Sequence, residues 1–115
     1  MRNAKKLGRA VLLSALLGPL LPAASATAEP LTPPQQRGLV FVNAHCSHCH
    51  SIYRLGASPL KIAPPFRTLH LRYPVESLQE SLAEGIITGH PSMPEFRLDP
   101  GQVADVIAYL KSLEQ

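Results

Sequence analysis

The chain has 115 residues, with eleven Lys and Arg, eight Asp and Glu, two cysteines, no tryptophan and three each of Phe and Tyr. Its formal charge of +3 is concentrated at the N-terminus, where Arg2, Lys5, Lys6 and Arg9 precede an apolar run over residues 10–21 and the small residues Ala26-Thr27-Ala28, the plan of an export signal. Removing those four bases leaves seven against eight acids, a formal charge of −1, with the arginines scattered and without aromatic partners, which excludes nucleic-acid binding as a function class.

Pro19, Pro22 and an apolar run well short of the roughly 20 residues that span a bilayer favour a cleaved signal over residues 1–28 rather than a membrane anchor. Residues 29–115 are then expected to form one domain, delivered to the periplasm. A domain of that length has a small core and gains from an additional staple. In an oxidising compartment a disulfide between Cys46 and Cys49 is the simplest use of the two thiols. A redox C-x-x-C pair, however, accompanies a βαβ pattern, and the chain has no convincing strands.

In chain order, Thr32 is placed to cap a first helix whose first turn contains Pro33 and Pro34 and which runs towards His45. Gly38, Phe41 and Val42 share one face, and a glycine inside a helix costs about 1 kcal/mol relative to alanine, so Gly38 marks a close approach by another part of the chain. Over residues 51–73 the periodicity fades and Gly56, Pro59, Pro64 and Pro65 punctuate a loop, with one short helix expected over residues 66–70. Pro74 opens a second helix, with Val75, Leu78 and Leu82 on one side, Glu76, Glu80 and Glu84 on the other, and Gly85 as its stop. Gly89, Pro91 and Pro94 rule out a regular helix over residues 86–98. Asp99, Pro100 and Gln102 then resemble a capping box ahead of a last helix with Val103, Val106, Ile107, Leu110 and Leu113 inward and Tyr109 beside them. Charge is uneven along the chain: residues 30–75 hold five bases and no acid, residues 76–115 seven acids and two bases, which is either a steering dipole or ordinary solvated surface.

The chemistry lies in Cys46-Ser47-His48-Cys49-His50. This is C-x-x-C-H, the pattern that attaches a c-type haem, with two thiols spaced to add to the vinyl groups and a following histidine placed to ligate the iron. Met93, apart from the initiator the only methionine, lies in the proline-flanked segment His90-Pro91-Ser92-Met93-Pro94 and is the candidate for the second axial position; a thioether opposite histidine raises the reduction potential. Methionines also serve as gap filler in cores, and His70 and His90 compete for the same position. His45 and His48 are expected as exposed polar residues, and a Cys₂His₂ zinc site lacks a second pair at the usual spacing.

These features resemble the small class I cytochromes c of bacterial periplasms over nearly all of residues 33–114. The matches come in order: Gly38 and Phe41, the motif at residues 46–50, Met93-Pro94, and Tyr109-Leu110. The resemblance implies an all-α fold of three to four helices around one covalent haem c, with Tyr109 packed on Gly38 and the first and last helices crossing nearly at right angles. It also implies a proline carbonyl, from Pro64 or Pro65, that accepts the proximal histidine's N–H. It implies a single-electron carrier rather than an enzyme, axially ligated by His50 and Met93, exchanging electrons with redox partner proteins: a dehydrogenase or bc1-type donor and an oxidase or reductase acceptor. The alternative is a haem subunit of a larger periplasmic oxidoreductase. Residues 51–63 do not match the best-known mitochondrial form, so propionate contacts and the docking surface do not carry over.

Overall fold

The computed structural model describes residues 28–85 and 92–114 together with Gly18; the rest of the expected export signal, His90 and Pro91 lie outside the described residues. Three α-helices, α1 (Pro33–His45), α2 (Leu78–Glu84) and α3 (Pro100–Ser112), are joined by irregular chain and by 3₁₀ segments at Phe66–Leu71 and Val75–Ser77, with no strand among the described residues.

Both long helices start where local chemistry satisfies their first backbone N–H groups. At α1, Thr32 is extended, with φ −65° and ψ 160°, and its own N–H donates to Gln35 Oε1 at 2.9 Å. At α3 the box is reciprocal: Gln102 N–H donates to Asp99 Oδ1 at 2.9 Å and Asp99 N–H donates to Gln102 Oε1 at 3.1 Å. Replacing Asp99 with alanine removes one partner of that pair. The expected cost is about 1 kcal/mol, a fall of about 4–8 °C in Tm for a domain of this size, read by thermal unfolding of the holoprotein.

The second helix begins one turn later than the sequence suggests. Pro74 is followed by the 3₁₀ turn Val75–Ser77, and α-helical geometry starts only at Leu78. Tertiary contacts account for the difference. Val75 is buried to 1% exposure, and Glu76 pairs with Lys111 of α3 instead of continuing the acidic face of α2. Gly85 ends the helix with φ 115°, a conformation that favours glycine.

The core lies between α1, α3 and the 3₁₀ segments. Val42, Ile52, Leu69, Val75 and Leu98 meet the inward face of α3, formed by Val103, Val106, Ile107, Tyr109, Leu110 and Leu113, all buried. Each such aliphatic side chain contributes about 1.5–3 kcal/mol relative to exposure. At Gly38 the two long helices touch through their backbones: a β-carbon there would meet the Asp105 carbonyl oxygen and lie 2.7 Å from Tyr109 Cβ. Tyr109 carries the contact further, its hydroxyl donating to the Ile52 carbonyl at 2.7 Å.

Folding also brings together charges that are separate along the chain. Arg37 forms a two-point pair with Asp105, through Nε and Nη2 at 2.7 Å each, and those hydrogen bonds hold the Asp105 carboxyl below its ordinary range. Arg54 donates to the Ser112 carbonyl at the end of α3. Two of the five bases in residues 30–75 are thus spent on the acidic half of the chain, which favours ordinary surface over a steering dipole.

Candidate haem-binding site

The motif follows α1 without a break. Cys46 N–H donates to Val42 O at 2.8 Å, and Cys49 and His50 N–H donate to Cys46 O at 3.1 and 3.0 Å. These bonds wind residues 46–50 into a tight turn, anchored by Ser47 Oγ donating to Asn43 O. Both cysteines are free and half-buried. Burial, and then the neighbouring Cys49, push the Cys46 thiol up to about 11, so at neutral pH it is a thiol and not a thiolate.

The loop after the motif folds back over it. Leu60 N–H donates to Cys49 O at 3.1 Å and Phe66 N–H to Ser51 O at 2.9 Å, and Ser51 is held further by Ser58 and Arg67. This brings the Pro64 carbonyl to 2.8 Å from His50 Nδ1. A carbonyl only accepts, so Nδ1 carries a proton, and in the neutral ring it is Nε2 that keeps the lone pair. Pro64, and not Pro65, therefore orients His50. The Phe66 ring, 4.8 Å from the imidazole by centroids, supports it from the side.

Two joined cavities of about 250 and 240 Å³ open beside this imidazole. The outer one reaches Cys49, Leu60, Ala63 and Pro94; the inner one is walled by Val42, Leu69, Leu78, Leu82 and Val106. Cys46, His50, Pro64, Phe66, Met93 and Phe96 line both. The joined space is in the size class of cofactor sites, roughly 300–1,000 Å³, and has their apolar character. Arg72 and Tyr73 are the polar side chains at the edge of the inner compartment.

Of the residues singled out from the sequence, Cys46, Cys49, His50 and Met93 are brought to one space. Among the described residues, His70 lies on neither wall, and its buried Nδ1 has no hydrogen-bond partner there. His90 lies outside the described residues. His48 is exposed on the outer rim. His45 is exposed as expected, but it also lines the outer cavity and contacts two phenylalanines, a role for which only its i, i+4 spacing from Phe41 gave a local signal. Phe66 and Phe96 also escaped notice as wall residues: Phe66 opens a short 3₁₀ segment and Phe96 lies in irregular chain, neither of which carries enough periodicity to mark an inward face. Among the described residues no three His, Cys, Asp or Glu side chains converge as a metal site.

A flat apolar group with two points for thioether attachment fits this cleft: both free thiols, the His50 imidazole with Nδ1 turned to Pro64, and the Met93 thioether line the same space. Such a site, within an all-α fold, defines a covalent haem-binding domain. The cytochrome c family model matches residues 36–114, and the chain belongs to that family, whose members carry covalent haem c and transfer electrons. No curated protein and no solved structure is significantly similar to it.

Proposed function

We propose that the chain is a periplasmic electron carrier in which Cys46 and Cys49 form the two thioether bonds and His50 and Met93 hold the iron. Bound haem supplies a one-electron ferric/ferrous couple. His50 offers Nε2, its orientation fixed by the Nδ1 hydrogen bond to Pro64, which also raises the basicity of the ring. Met93 is the thioether that faces the shared cleft with His50 and stabilises the ferrous state. The aliphatic walls exclude water, while Arg72 and Tyr73 suit the two carboxylates that a haem carries. The periplasmic assignment, and a mature domain of residues 29–115, rest on the export signal read from residues 1–28. No described helix is long and apolar enough to cross a membrane.

The observation that carries this proposal is the convergence of both thiols, His50 and Met93 on one apolar cleft. An optical and redox titration of the holoprotein tests it. The parent should show the thioether–iron band in the ferric state and no carbon monoxide binding when reduced. Met93→Ala should lose the band, lower the potential and bind carbon monoxide stoichiometrically. A parent that already binds carbon monoxide would remove Met93 from the iron.

A further inference from the structure

Met93 lies in chain without helix or strand between residues 92 and 98, so its position depends on what the neighbouring residues grip. At the far end, Leu98 N–H donates to Leu82 O of α2 at 2.9 Å. Closer to Met93, Phe96 is half-buried against the core, and its ring meets His45 edge-on, with centroids 6.1 Å apart and planes at 69°. His45 in turn lies 4.5 Å from the ring of Phe41, one helical turn earlier on α1. The three rings form a bridge from α1 to the Met93 segment, and His45, Met93 and Phe96 line the same cavity.

We propose that His45 is a positioning residue: its ring, held between Phe41 and Phe96, fastens the Met93 segment to α1 and so sets how firmly the thioether holds the iron. This rests on Met93 being an axial ligand. An exposed helix-end residue ordinarily matters little when replaced, but the His45 side chain joins α1 to the Met93 segment through the Phe96 ring. The contact uses ring surface, which another aromatic ring supplies as well.

The test is displacement of the thioether by added imidazole in the ferric holoprotein at neutral pH, followed by loss of the thioether–iron band. His45→Ala should lower the half-displacing imidazole concentration about three- to ten-fold, the range expected for losing an aromatic pair. His45→Phe should return it to within about two-fold of the parent. If His45→Ala lowers the unfolding midpoint but leaves imidazole displacement unchanged, the residue is merely structural and the proposal is overturned. It is overturned equally if His45→Phe yields as easily as His45→Ala. A parent without the band overturns the Met93 assignment and the bridge's role with it, whereas a parent with the band and an unchanged alanine variant overturns the bridge alone.

Discussion

Replacing Cys46 and Cys49 together with alanine is expected to abolish covalent haem, seen as complete loss of haem staining after denaturing electrophoresis. His50 and Met93 remain in that variant, but ligation alone does not survive denaturation; only carbon–sulfur bonds do. Each single variant should still stain, because one thioether remains. Persistent staining in the double variant would exclude the attachment site. The effect extends beyond the cofactor. Without its occupant the cleft leaves Val42, Leu69, Leu82 and Val106 without the apolar group they face, and burial of each such side chain is worth about 1.5–3 kcal/mol. Losing a few of those contacts is comparable with the whole stability of a small domain, about 5–15 kcal/mol. The double variant should therefore also lose most of its far-UV helical signal.

Gly38→Ala is expected to destabilise the holoprotein despite the better helix propensity of alanine. Propensity favours the change by about 1 kcal/mol. Against it, the new methyl group would strike the Asp105 carbonyl oxygen and Tyr109 Cβ. No rotamer change relieves a clash with backbone, so the helices must separate, at the upper end of the overpacking range, about 3 kcal/mol. Sterics win by about 2 kcal/mol, equivalent to a fall of about 8–16 °C in Tm. Gly38→Val, bulkier and with a smaller propensity gain, should lose more. An alanine variant melting at or above the parent would remove the close approach of α1 and α3.

What the sequence disclosed and what it hid divide by distance along the chain. The caps at Thr32 and Asp99 were legible because each partner lies three residues away, and the C-x-x-C-H motif because its chemistry is contiguous. Gly38 was legible as a glycine out of place in a helix. The start of the second helix was misjudged by a turn, because Val75 burial and the Glu76–Lys111 pair depend on α3. The choice between Pro64 and Pro65 depends on how the loop after the motif folds back, which composition does not encode. The His45 bridge needs Phe96, brought close only by the complete fold.

The hydrogen bond between Tyr109 and Ile52 and the Val106 and Leu110 wall of the inner compartment tie closure of the cleft to the docking of α3. Until that helix packs against α1, the compartment lacks one of its walls. Capture of the cofactor and docking of α3 are therefore coupled, each completing the surface on which the other packs.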